Sequence, residues 1–385
     1  MSGQHSDSAA PKPPTASPIV GVRWRPFRLP LRAPIATAGG TIEQREGVLV
    51  ELRDADDRRS FGEASPLPED GDGGAPDVLR LLGEWAPRVL AGEGPPAGSH
   101  APAAAALRCA LDDARLDLDG RRRGLRIASI IGGGAVREVR VNAVIGNGPP
   151  EWVREQAAAA VAAGYGTLKL KVAAGSLDED RRRVQAAREA APDARLRLDA
   201  NGGWDTATAH EAIDALARYD LEYVEQPVPA RDLEGLARLR AEGTCLIAAD
   251  ESVADAAEAE RVLDSSAVDV LVLKPMRLGG IRRALNLARD ASWEGVSCVV
   301  TTNFDSSLGV AAALHLAAAV DSFNAWGGFA HGLSTAEHLA ADLVARPLVP
   351  HGGVLHVPSA VGLGVEPDEA ALEAAATGDW VEVSR

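Results

Sequence analysis

Six charged side chains recur along the middle of this 385-residue sequence at an interval too regular for a solvated surface. Lys169 and Lys171 come first, in Thr167-Leu168-Lys169-Leu170-Lys171-Val172. Asp199 follows Lys171 by 28 residues, Glu225 follows Asp199 by 26, Asp250 comes 25 later and Lys274 24 after that. Successive strand side chains point to opposite faces, so Lys169 and Lys171 share one face while the aliphatic residues take the other. An isolated lysine pair of this kind usually protects an edge strand. Here the carboxylates downstream give it a different setting. Asp199, Glu225 and Asp250 are hard oxygen donors with no soft ligand among them, a set that suits Mg²⁺, with Mn²⁺ as its substitute. Lys169 and Lys171 enter from one side of such an ion and Lys274 from roughly the other. A lysine beside other cations has its neutral form favoured and becomes a general base. The reaction that uses a divalent metal and opposed lysines is removal of a proton α to a carboxylate, with the metal and a charged lysine stabilising the enediolate. Asn201, on the face of Asp199, either orders a metal-bound water or the carboxylate, or is simply a turn residue.

Each of these residues ends an apolar run, and 24 to 28 residues is the length of a strand, a helix and their two loops. Parallel strands that carry their functional groups at their carboxyl ends build a (β/α)8 barrel. The spacing extends both ways. Val139 to Ile145 reads as the first barrel strand, Cys298 to Asn303 as the seventh and Asn324 to Gly328 as the eighth, with helices over Trp152–Ala163 and Asp178–Ala191. The chain before this alternation is β and then α. Strands begin at Val20–Trp24, Gly47–Leu52 and Ser60–Glu63, with Ala36–Thr41 and Glu69–Gly74 as loops. A helical stripe runs through Val78, Leu79, Leu82, Trp85 and Val89, and a second helix, N-capped by Ser99, covers Ala103–Leu118. Gly132-Gly133-Gly134 lacks phosphate-loop spacing and reads as a turn. The fold class is therefore α/β: residues 1–18 a disordered tail, 19–128 an α+β capping domain, 129–350 the barrel, and 351–385 a return that completes the capping domain.

Forty basic residues against 55 acidic ones give a net charge of −15, which excludes a nucleic-acid or anionic-membrane surface and fits a cytoplasmic protein. Cys109, Cys245 and Cys298 have neither disulfide-framework nor zinc spacing. No apolar run reaches the ~18 residues of a membrane span, and the Ser-, Pro- and Ala-rich start lacks a signal-peptide core. Oligomeric state is not encoded in any of these features.

Lys169-Leu170-Lys171, Asp199-Ala200-Asn201, Val224-Glu225-Gln226-Pro227, Ala249-Asp250-Glu251-Ser252 and Leu273-Lys274-Pro275 resemble the motifs of the muconate-lactonizing branch of the enolase superfamily. Arg45-Glu46-Gly47-Val48 and Gly62 to Pro68 resemble that branch's capping domain. Within the branch, Thr301 to Gly309 and Ala330 to Thr335 are most similar to the o-succinylbenzoate synthase family. That resemblance implies a Mg²⁺-assisted syn-dehydration of a small carboxylate substrate. Lys171 would be the base, Lys274 would stabilise the enediolate and Lys169 would tune Lys171. Asn303, Ser306, Ser307 and His331 would meet a second carboxylate of the substrate, the N–H groups at the helix start near Ser306 supplying the site. The loops Ala36–Thr41 and Pro66–Gly74 would close over it. Racemases and dipeptide epimerases of the branch share the lysines. The dipeptide enzymes hold the substrate ammonium with an Asp-x-Asp on the eighth strand, and Trp326 to Ala330 carries no acid.

Overall fold

The computed structural model describes residues 17–37, 40–67, 73–94, 101–324 and 328–385. Its first unit is an antiparallel sheet of β1 (Ile19–Thr37), β2 (Gly40–Asp54) and β3 (Arg59–Ala64), with the last strand of the chain on the free edge of β1. Of the expected loop Ala36–Thr41, Ala36 and Thr37 end β1 and Gly40 and Thr41 begin β2, Ala36 opposite Thr41 and Thr37 opposite Gly40, while residues 38–39 lie outside the described residues. The ladder breaks between Pro30 and Ile35, where Pro30 and Pro34 have no N–H to give, and then resumes. Most of the stretch Pro66–Gly74 lies outside the described residues. α1 (Ala75–Leu90) and α2 (Pro102–Arg123) cover one face of the sheet. α2 begins with Ala101 at its N-cap, so Ser99, outside the described residues, is not the cap. The approach of α2 is close enough to require a glycine. A Cβ on Gly62 would stand 1.9 Å from the Ala110 carbonyl oxygen. Val22, Val48 and Val50 from the sheet meet Leu82, Leu107 and Leu111 from the helices in one apolar core.

After α3 (Ile127–Ile131), which Gly132 ends at φ 106°, the expected first barrel strand divides in two. β4 (Glu138–Arg140) pairs antiparallel with a late strand, and only β5 (Ala143–Ile145) joins the barrel. Then come α4 (Pro150–Ala162), β6 (Thr167–Lys171), α5 (Leu177–Ala190), β7 (Arg195–Asp199), α6 (Thr206–Ala217) and β8 (Leu221–Glu225). α7 (Leu233–Glu242), β9 (Ile247–Ala249), α8 (Ala256–Asp264), β10 (Val270–Leu273), α9 (Pro275–Leu278), α10 (Ile281–Trp293), β11 (Ser297–Val300) and α11 (Ser307–Val320) continue the alternation. Asp205, Asp232, Asp255 and Ser306 cap α6, α7, α8 and α11 through their side chains, and Ser176 with Glu179 forms a capping box on α5. β5 to β11 form one seven-stranded sheet in consecutive order.

Most of the eighth strand expected at Asn324–Gly328 lies outside the described residues. The Asn324 side-chain amide bonds both the N–H and the carbonyl of Cys298, in the manner of a neighbouring strand. The ring is closed by two residues further on, His331 pairing with Val141 and Gly332 with Thr301, both parallel. β12 (Val354–His356) pairs with β4 rather than with the first unit. The return to the first sheet comes only with α12 (Glu369–Ala375) and β13 (Val381–Ser384), the latter antiparallel to β1. All three cysteines are free, and among the described residues no helix is long and apolar enough to cross a membrane.

Candidate active site

The ladder of β6, β7 and β8 places Lys171 beside Asp199 and Asp199 beside Glu225. Asp250 follows the last residue of β9, and Lys274 follows β10 as the N-cap position of α9. All six charged residues therefore meet at the carboxyl ends of the strands. The chain turns sharply just beyond them, with Asn201 at φ 45° and Gln226 at φ 40°, a left-handed conformation that non-glycine residues seldom adopt. Asn201 is held there by its N–H on Asp199 Oδ1 at 3.1 Å. Gln226 accepts the N–H groups of Asp250 and Ser252 on Oε1, both at 3.0 Å, which fixes the next turn.

Lys169 Nζ lies 2.7 Å from Glu225 Oε1 and 2.9 Å from Asp199 Oδ2. Lys171 Nζ donates to Asp199 Oδ2 and to Asn201 Oδ1, each at 2.7 Å. Lys274 Nζ sits on the Asp250 carboxylate, 2.7 Å from Oδ1 and 2.8 Å from Oδ2. A fourth acid joins them: Glu251 Oε1 accepts from Asn201 Nδ2 at 2.8 Å, while its Oε2 is buried without a hydrogen-bond partner. Burial works to raise the Asp199 carboxyl, but Lys169 and Lys171 override it and hold it well below the usual range. Burial likewise opposes the charge on Lys169, and Asp199 and Glu225 override it, so this ammonium is held firmly charged. Glu225 goes the other way. Burial first, then the charges of Asp199 and Asp250, push it up to about 7 against the pull of Lys169. Glu251 is raised by burial and by Asp250 and Asp199.

Among the described residues no three acids, histidines or cysteines stand as a ready-made metal shell, because ammonium groups lie between the carboxylates. The donor set nevertheless fits a divalent cation. Four buried or part-buried carboxylates face three ammoniums, two of those acids are pushed towards neutrality by their neighbours, and one oxygen is orphaned.

Beneath the cluster Arg197, alternate to Asp199 on β7, is 0% exposed. Its guanidinium bonds Glu222 Oε2 at 2.5 Å, the Ala330 carbonyl at 2.7 Å and Asn142 Oδ1 at 3.3 Å, and stacks 4.5 Å from the Tyr223 ring. It ties the two-residue eighth strand to the barrel interior. Val144, in register with Lys169 and so on the same face, is 50% exposed and offers an apolar wall beside the lysines. Neither was singled out from sequence, although the charge at Arg197 inside an apolar strand was a visible signal.

The residues expected to hold a second substrate carboxylate are placed differently. The helix start at Ser306 is an anion site, as expected, but the chain fills it itself. Glu63, from β3, accepts from Ser306 N and Gly309 N at 3.1 Å and from Ser306 Oγ at 2.5 Å. Ser307 gives its N–H and Oγ to Asp342, the latter at 2.7 Å. Neither serine is left for a substrate. His331 is also committed: Nδ1 accepts from Val300 N at 2.8 Å and Nε2 faces Asp321 Oδ1 at 3.1 Å, with the ring fully buried. Its role is to close the barrel. Asn303 alone keeps a free group, a buried Nδ2 without a partner. Next to it, Asp305 is pushed up to about 7 by burial and by Glu63.

Residues 152–371 match the family described as Enolase C-terminal domain-like. The chain belongs to the enolase superfamily. Over 90% of its length it is 33% identical to a hydrophobic dipeptide epimerase of Enterococcus faecalis, covering 99% of that protein. Over 60% of its length it is 43% identical to an o-succinylbenzoate synthase of Thermobifida fusca, covering 74% of that one. The crystal structure of the Enterococcus faecalis dipeptide epimerase complexed with Mg and the dipeptide L-Leu-L-Tyr superposes with a TM-score of 0.81 at 30% identity, over 91% of this chain and 99% of the other. The capping unit plus barrel seen here is thus the superfamily architecture, and the placement in the muconate-lactonizing branch holds.

Proposed function

We propose that this enolase-superfamily chain is an o-succinylbenzoate synthase, a Mg²⁺-dependent hydro-lyase of menaquinone biosynthesis. It would convert 2-succinyl-6-hydroxy-2,4-cyclohexadiene-1-carboxylate to 2-succinylbenzoate. The observation that carries this reading is the chemistry around strand eight. From Gly328 to Ala336 the sequence has no acid to hold a substrate ammonium, and the first one after it, Glu337, is engaged with Tyr165. With Val144 apolar beside the lysines, the pocket suits a substrate that has carboxylates and a ring and no amine. The 43% identity to an o-succinylbenzoate synthase supports it.

In this reading Lys171 takes the α-proton and then returns it to the departing hydroxide on the same face, so that water leaves and the ring becomes aromatic. Lys274, held by Asp250, stays charged opposite the forming enediolate. Lys169 stays charged between Asp199 and Glu225 and sets the field around Lys171. Asp199, Glu225 and Asp250 would hold a Mg²⁺ ion, with Mn²⁺ able to replace it, which when bound supplies positive charge to the substrate carboxylate.

A second reading, racemization of an N-acylamino acid or epimerization of a dipeptide, rests on the full-length similarity to the dipeptide epimerase and on Lys274 standing ready for the opposite face. One assay separates them. The purified protein with Mg²⁺ and the cyclohexadiene substrate should form 2-succinylbenzoate with kcat/KM of at least about 10⁴ M⁻¹s⁻¹. Turnover far below that, beside fast racemization of an N-succinylamino acid, would give the case to the second reading.

A further inference from the structure

A lysine acts as a base through one lone pair, and a side chain with four rotatable bonds does not aim it unaided. Lys171 Nζ has two partners, Asp199 Oδ2 and Asn201 Oδ1, each at 2.7 Å. Both can only accept. A neutral amine has two N–H groups and one lone pair on its three free corners. Two acceptors claim the two N–H groups, and the lone pair is left on the third corner. Rotating it towards either oxygen would cost a hydrogen bond and set lone pair against lone pair.

This arrangement depends on which way the Asn201 amide is turned. Flipped, it would present its NH₂ group to Lys171, donate to the lone pair and quench the base. Glu251 holds it the productive way. Its Oε1 accepts from Asn201 Nδ2 at 2.8 Å, a bond that the flipped amide would lose. The backbone adds a second restraint, since Asn201 sits at φ 45° with its own N–H on Asp199 Oδ1. Lys274 has no part in this arrangement; its carboxylate is Asp250.

We propose that Asn201, held in orientation by Glu251, is a positioning residue that aims the lone pair of Lys171 at one face of the bound substrate. The inference rests on the reading of Lys171 as the base, which the dehydration and the second reading share; the exchange test adds Lys274 as the acid–base group of the opposite face.

The test is exchange of the α-proton in heavy water, followed by NMR, with the two enantiomers of N-succinylphenylalanine as separate probes and Mg²⁺ present. Each enantiomer presents its proton to one lysine, and the one silenced by Lys171→Ala identifies the Lys171 face. Asn201→Gly removes the amide while allowing the positive φ, so the turn is kept. It should slow exchange on the Lys171 face by at least about tenfold, the scale of a misaimed reacting group, and leave the Lys274 face and both KM values within about twofold. Glu251→Ala should show the same one-sided loss, and Glu251→Gln, which keeps an acceptor, should recover part of it. Equal losses on both faces, or none on either, would overturn the inference by reducing Asn201 to a structural or idle residue. If the wild-type protein exchanged neither enantiomer, the acid–base reading of the lysines would fall and the inference with it.

Discussion

Replacing Glu63 should loosen the joint between the capping sheet and the barrel by an amount that distinguishes alanine from glutamine. The carboxylate leaves β3 and accepts four bonds in a buried setting: Ser306 N and Ser65 Oγ on Oε1, Ser306 Oγ and Gly309 N on Oε2. The hydroxyls can rotate to other acceptors, but the two backbone N–H groups cannot. Glu63→Ala orphans both, at about 1–3 kcal/mol each, so a total of about 2–6 kcal/mol is expected. Glu63→Gln keeps the shape and one oxygen. Whichever way its amide turns, the NH₂ group meets one backbone N–H, that of Ser306 or that of Gly309, and a single orphan costs about 1–3 kcal/mol. Urea unfolding followed by far-UV circular dichroism measures both. Proteolysis should also open the variants first near the start of α11, since the lost bonds pin that helix. Equal destabilisation by the two substitutions, or less than about 1 kcal/mol for alanine, would refute the argument that Glu63 occupies the helix terminus as a strap.

The remaining expectations concern the site and one buried histidine. Lys171→Ala and Lys274→Ala should abolish turnover while Lys169→Ala is milder, because proton transfer and charge stabilisation are worth more than tuning a neighbour. If Lys169→Ala is as damaging as Lys171→Ala, the base has been assigned to the wrong lysine. Glu225→Gln should remove most activity and leave the circular dichroism spectrum intact, and excess chelator should silence the wild-type enzyme; full activity in chelator sinks the ligand assignment. His315 lies inside the wholly buried α11, where burial lowers it to about 4 and Nδ1 accepts the Ala128 N–H at 3.3 Å. A depressed histidine is neutral in the fold and protonates in the unfolded chain, so its contribution is complete above the unfolded value of ~6.5 and lost as pH falls towards 4. Between pH 7 and pH 5 that is about 2 kcal/mol. His315→Gln should remove this share of the acid-induced loss in urea titrations, and an unchanged pH dependence in the variant would show that His315 does not titrate on unfolding.

What could be read from sequence followed the range of the interactions involved. Asp199, Glu225, Asp250 and the lysines stand at strand ends that repeat every 24 to 28 residues, so a local pattern locates them and the barrel rule gives them a common end. Barrel closure lacked any such pattern. A strand of two residues, His331 and Gly332, has no alternation to detect, and the Asn324 region that mimics a strand does so through a side chain. β12 was misassigned for a related reason: Val354–His356 reads plainly as a strand, but nothing local says that its partner is β4 rather than the first sheet.

The substrate-binding expectation failed in a more instructive way. The start of α11 is an anion site on physical grounds, and an anion does occupy it, but it is Glu63, 243 residues upstream. A helix terminus buried between two units cannot wait for a substrate to satisfy its N–H groups, because unpaired they would cost more than the fold can spare. A carboxylate from the opposing sheet solves this, and the same bonds lock sheet to barrel. The substrate is then left with groups outside that joint: the Lys171 and Lys274 side chains, the wall at Val144 and the buried amide Nδ2 of Asn303, which has no partner. In a buried site, the polar atoms that the fold has not satisfied are a better guide to the ligand than those of suitable chemistry alone.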